Sequence, residues 1–84
     1  MARVKIKFYG LLRSKTGVDE FECEASDVKE ALKKLKKEHG PEIYRLQKSC
    51  HIYLNKDNLA FLKGVKTKLK DGDVLHVLSP AGGG

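Results

Sequence analysis

Between residues 27 and 41 the hydrophobic period of the chain changes, and that change constrains the fold more than any other feature. Val28, Ala31, Leu32 and Leu35 recur at i, i+3, i+4 and i+7, the apolar stripe of an amphipathic helix, while Lys29, Lys33, Lys36 and Lys37 fall off that stripe. Asp27 stands just before the run and Glu30 three residues later, the pattern of a capping box with Asp as the cap. Gly40-Pro41 closes it, since glycine accepts a left-handed residue after a helix and proline cannot extend one. A lone helix over about 28–39 cannot bury this stripe by itself, so it requires a sheet to cover.

The flanking segments supply that sheet. Val4, Ile6 and Phe8 alternate with Lys5 and Lys7, and Phe21, Cys23 and Ala25 alternate with Glu20, Glu22 and Glu24, each a strand with one buried face. Leu11–Gly17 reads as the connection between them, giving a hairpin. After the helix, residues 42–49 are open between a loop and one short helical turn carrying Ile43, Tyr44 and Leu46. Residues 50–54 alternate like a strand, Asn55–Asn58 has turn chemistry, and Leu59–Leu62 is a short strand candidate. Lys70–Asp73 makes a tight turn into Val74–Leu78, which is apolar at four of five positions, as in a central strand covered on both faces. The order β-β-α-β-(β)-β predicts an α+β fold of the β-grasp type: a mixed sheet of four to five strands, the first and last central and parallel, with one main helix on one face.

Length and charge narrow the function. Eighty-four residues make one domain with no room for a separate catalytic unit, and no apolar run approaches the ~20 residues that span a bilayer. The amino-terminal residues alternate in charge instead of opening a signal sequence, so a cytoplasmic location is expected. Cys23 and Cys50 are too few for a disulfide framework and lack metal-ligand spacing, so no metal and no bound cofactor are expected. The net charge of +6, from 14 lysines and three arginines against 11 acids, suits an acidic partner or a lysine-rich solvated surface.

The chain then ends in Ser79-Pro80-Ala81-Gly82-Gly83-Gly84. Proline cannot donate to a sheet ladder and glycines have no side chains to pack, so residues 1–79 are expected to form the folded domain and residues 80–84 a flexible tail. By the residues alone such a tail is either a frayed terminus or a working tether. As a tether its reactive group would be the Gly84 α-carboxylate, ionised at pH 7 with a pKa near ~3.5. Carried on a stalk without β-carbons, it could enter a narrow channel and attack the α-phosphate of ATP to give an acyl-adenylate, from which a thiolate displaces AMP.

Val4–Tyr9 with Gly10-Leu11-Leu12-Arg13, Asp27–Leu32, Leu69–Val74, Pro80 and the terminal Gly83-Gly84 together resemble the MoaD/ThiS sulfur carriers over nearly the whole chain, with a length nearer MoaD, the small subunit of molybdopterin synthase. The resemblance implies a ubiquitin-like β-grasp whose carboxyl-terminal glycine is adenylated by an E1-like adenylyltransferase (MoeB/ThiF-like) that uses ATP, and is then thiocarboxylated. It further implies a large synthase subunit (MoaE-like) as sulfur acceptor in molybdopterin biosynthesis; thiamin synthesis, tRNA thiolation and conjugation to lysines of other proteins are the alternatives. By position Gly84 matches the thiocarboxylate residue and Gly83 its required neighbour, and the chemistry belongs to the partners, so the chain itself is a carrier and not an enzyme. Ser79-Pro80 departs from the usual Pro-Pro, and three glycines replace the usual Ser-Gly-Gly or Thr-Gly-Gly ending.

Partner contacts are expected from Phe61, Val74, His76 and Leu78 and, in the tail, Pro80 and Gly82. Leu75 and Val77 should face the helix, which leaves Val74, His76 and Leu78 on the opposite face beside Phe61 and Leu59, either as an interface or buried under residues 41–49. His39 is expected to complement its helix dipole, Cys23 to fill the core, and Asp71-Gly72-Asp73 to form a turn and not a calcium site. An alternative of another class is a basic β-grasp RNA-binding module similar to TGS domains; against it stand scattered lysines, scarce arginine and no evident aromatic platform.

Overall fold

The computed structural model describes residues 1–78. Strand β1 (Ala2–Phe8) leads into helix α1 (Gly10–Thr16) and strand β2 (Glu20–Ala25). Helices α2 (Val28–His39) and α3 (Pro41–Gln47) follow, then strands β3 (His51–Leu54), β4 (Asp57–Asn58) and β5 (Val74–Leu78), with two 3-10 turns, Leu59–Phe61 and Gly64–Lys66, between the last two strands. The sheet order is β2-β1-β5-β3-β4. As the alternation predicts, β1 and β5 lie side by side and parallel at its centre, and the remaining pairs are antiparallel.

The register explains the core. Phe21, Ile6, Leu75 and Leu54 stand in one row across four strands, and Phe8, Val77 and Ile52 in another, all on the face toward the helices. Helix α2 lays Val28, Ala31, Leu32 and Leu35 on these rows; Ile6, Leu35, Leu75, Val77 and Val28 are fully buried. Its amino terminus is capped as predicted: the Asp27 side chain accepts from the Glu30 N–H at 2.8 Å, while Glu30 Oε1 accepts from the Ser26 N–H at 2.6 Å. Lys34 reaches from the same helix to the Glu24 carbonyl of edge strand β2.

Two local expectations are corrected and one open segment is settled. Leu11–Gly17 is helical over its first six residues and ends in a cap, so it is not a plain connection: Gly17 is the left-handed cap of α1 (φ 72°), its N–H bonding the Arg13 carbonyl at 2.8 Å. Residues 42–49, which the sequence left open, fall in α3 as far as Gln47, a helix started by Pro41 at its first turn and anchored by buried Ile43, with Lys48 and Ser49 in the turn that follows. Gly40, at φ 95°, therefore both ends one helix and begins the next. Leu59–Phe61 is a 3-10 turn and not a strand, because the Asn58 side chain accepts from the Ala60 N–H at 2.9 Å and curls the chain.

Candidate functional site

Among the described residues no helix lies on the sheet's second face, so the alternation of each strand is displayed there. Along the β2 edge stand Glu20, Glu22 and Glu24, and beside them on β1 Lys7, Lys5 and Arg3. These columns neutralise one another diagonally, Lys5 pairing with Glu20 at 3.1 Å and Arg3 with Glu22 at 3.9 Å. The Glu20 carboxylate, as hydrogen-bond partner and as charge, holds the Lys5 ammonium above its ordinary pKa.

The other half of that face is different in kind. Val74, His76 and Leu78 project from β5, each partly buried, and His51 and Tyr53 from β3 stand opposite Leu78 and His76. Tyr9 continues the outward positions of β1, and its hydroxyl lies 2.8 Å from His76 Nδ1, with the rings 5.7 Å apart. This is a small apolar and aromatic surface without a carboxylate or ammonium on β5 or β3. Val74, His76 and Leu78 do point away from α2, as their parity requires. They are not buried under residues 41–49, because α3 packs on α2 in the helical layer. The expectation of a β5 covered on both faces is corrected accordingly: only Leu75 and Val77 are fully covered.

Phe61 is 85% exposed on its 3-10 turn, followed by exposed Leu62 and Val65. Leu59, expected beside it on the open face, is instead 7% exposed and belongs to the core. Tyr9, Tyr53 and His51 were not singled out by sequence; the signal that finds them is strand parity, since Tyr9 shares that of Lys5 and Lys7. Pro80, Gly82, Gly83 and Gly84 lie outside the described residues.

Other chemistry-bearing residues have structural work. Asp71 accepts from the Arg3 N–H at 2.8 Å, and Asp73 from the Lys70 N–H at 2.8 Å and from Asn55 Nδ2 at 3.1 Å. Asn55, at φ 56°, accepts in turn from the Val74 N–H at 3.1 Å, so these carboxylates fasten the turn that launches β5. Burial raises the thiol pKa of both Cys23 and Cys50, and the Cys50 thiol donates to the Leu46 carbonyl at 3.5 Å. His39 stands in the last turn of α2 with its ring edge-on to Phe21 at 5.3 Å. Among the described residues no three His, Cys, Asp or Glu side chains gather into a metal site, and no helix is long and apolar enough to cross a membrane.

A β-grasp sheet with one helix-covered face, one open face and a central last strand defines a ubiquitin-like domain. The ThiS family model matches residues 6–84, and the chain belongs to that family. Small archaeal modifier protein 1 of Methanosarcina acetivorans is 30% identical, with a TM-score of 0.83 and coverage of 100% of this chain and 98% of that one. A chain of the complex of subunits 1 and 2 of the Helicobacter pylori molybdopterin-converting factor is also 30% identical (TM-score 0.73, covering 98% and 99%). One from the Amycolatopsis orientalis BexX/CysO complex is 26% identical (TM-score 0.79, covering 96% and 99%). No curated protein matches the sequence. ThiS/MoaD-type chains are small sulfur carriers and ubiquitin-like proteins, non-catalytic partners of other proteins and not enzymes.

Proposed function

We propose that this chain carries sulfur on the carboxylate of Gly84 for molybdopterin biosynthesis. The observation that carries the reading is the ThiS family match, which extends through Gly83 and Gly84. An E1-like adenylyltransferase of the MoeB/ThiF kind binds ATP; a Gly84 carboxylate oxygen attacks the α-phosphorus and pyrophosphate leaves. Hydrosulfide then attacks the acyl carbon and AMP leaves with the former carboxylate oxygen; where the donor is a protein persulfide, the acyl disulfide first formed is cleaved by a second thiol, which is oxidised to a disulfide with the donor cysteine. The resulting thiocarboxylate passes its sulfur to a large synthase subunit of the MoaE kind, which holds the pterin precursor. Gly82 and Gly83 let the acyl group reach a channel too narrow for β-carbons, with no cofactor bound by the carrier. The body is held through Phe61, Val74, His76, Leu78 and Pro80. Similarity to a chain from a two-subunit molybdopterin-converting factor complex supports this assignment.

The test is mass spectrometry after incubation with such an adenylyltransferase, ATP and a sulfur source in the cytoplasmic fraction of the host. Replacement of oxygen by sulfur adds about 16 Da at the terminus. Deletion of Gly83-Gly84 should abolish the gain and leave the melting temperature unchanged; an unaltered mass with every adenylyltransferase of the host overturns the reading. The likeness to a small archaeal modifier protein favours a second use of the same activated glycine, amide transfer to a lysine of another protein. Glycine remnants on lysines of host proteins, found by peptide mass spectrometry, would mark that use.

A further inference from the structure

Helices α2 and α3 meet at a side-chain arrangement that neither the tail nor the open sheet face requires. The Nζ of Lys36, in the last turn of α2, lies 5.1 Å from the centre of the Tyr44 ring, and that of Lys48, just after α3, lies 5.0 Å from the same ring. Two ammonium groups are thus held no more than about 10 Å apart by one neutral side chain. Together with Arg45, Glu42 and Pro41 they line a shallow pocket of about 350 Å³. Among the described residues the ion pairs are Arg3–Glu22, Lys5–Glu20 and Arg13–Asp19, so none of Lys36, Arg45 and Lys48 is in ion-pair contact with a carboxylate of those residues. Three cations and one acid, Glu42, line the pocket and leave it with a net positive charge, which an anionic visitor offsets.

We infer that the Lys36–Tyr44–Lys48 cluster, with Arg45, is a docking site for an acidic segment of a partner protein. Charge complementarity sets the class of ligand, and one detail chooses polypeptide over nucleic acid. The Tyr44 ring is occupied by ammonium groups, which removes the stacking platform that single-stranded nucleic acid uses. Lysines act here as point charges, which suits a run of carboxylates better than the paired contacts arginine makes. The site belongs to the helical layer and leaves the open sheet face clear, so a partner gripping α2 and α3 would not compete with one seated on β5.

The test is an NMR titration of the isotope-labelled full chain at low salt with a blocked hexaglutamate peptide, with single-stranded RNA, duplex RNA and inorganic phosphate in parallel. The peptide is expected to give saturable shifts confined to the last turn of α2 and to α3, and to lose affinity as salt rises. The double reversal K36E/K48E should weaken the peptide about tenfold, while K68E/K70E, the same charge change elsewhere on the surface, should cost less than about twofold. All four lysines are exposed, so both variants should melt like the parent. Binding of either RNA or of phosphate at these residues as tightly as the peptide overturns the inference. Absence of saturable shifts, or equal losses in both variants, overturns it too. Because the tail is untouched, such a failure leaves sulfur loading at Gly84 unaffected.

Discussion

Two apolar residues on one 3-10 turn should behave in opposite ways when truncated. Leu59 is 7% exposed and sits in the core, whereas Phe61, two positions on, is 85% exposed. Leu59→Ala removes buried methyl groups and leaves a void, a loss of about 2–4 kcal/mol. In a domain of this size each kcal/mol moves the melting temperature by about 4–8 °C, so a fall of roughly 8–30 °C is expected. Phe61→Ala removes a ring that already stands in water, and stability should stay within about 0.5 kcal/mol, a shift of no more than ~4 °C. In a binding assay with the adenylyltransferase, run well below both melting points, the order should reverse. An exposed aromatic anchor carries about 1–3 kcal/mol of an interface, so Phe61→Ala should weaken binding about tenfold or more, and Leu59→Ala hardly at all. Circular-dichroism melting and a titration by calorimetry measure both quantities. A Phe61→Ala protein that melts as low as Leu59→Ala would refute the burial argument, and one that binds like the parent would refute the docking role.

Asn55 combines a positive φ with a side chain that joins Val74 and Asp73, so Asn55→Gly should lose about 1 kcal/mol and Asn55→Ala about 2, the order being read by urea denaturation. Asp27→Ala uncaps α2 and should lose about 1 kcal/mol in the same experiment. Burial raises both thiols above the ordinary value of 9.0, so they stay protonated longer in the fold than in the unfolded chain. Their stabilisation is complete below about pH 9 and is lost as pH rises toward the folded pKa values; melting temperature should fall over that interval, less steeply in Cys23→Ala. Near neutral pH a maleimide should label half-buried Cys50 before buried Cys23, as peptide mapping will report.

What could be read from sequence depended on how many periods each segment offered. Helix α2 has 12 residues, enough for its stripe to repeat and for both ends to carry signals. Helices α1 and α3 have seven each, too few for a period, and their signals were ambiguous: Gly17 closes a helix as well as a loop, and Gly40-Pro41 ends one helix while starting another. The parallel pairing of β1 with β5 was legible because both runs are apolar on matching positions. Strand β4, with two residues, left no pattern at all, and Leu59–Leu62 alternated only by accident of a tight turn whose sole core residue is Leu59.

The open face was half legible for a physical reason. Acid and base columns on β2 and β1 alternate with apolar residues and so announce a solvated surface, and the ion pairs across them confirm it. On β5 the outward residues are Val74, His76 and Leu78, and a run apolar on both parities reads as a strand enclosed on both sides. Among the described residues that enclosure is absent, since α2 and α3 form a single layer on the other face. Apolar side chains left half-covered on a central strand keep much of their transfer free energy unrealised until something else desolvates them. A partner docked on β5 would supply the missing cover, and Leu78 is the point from which residues 79–84 continue toward the glycine that the proposal charges with sulfur. On that view the misleading apolar run in the sequence describes the strand as it is in the complex.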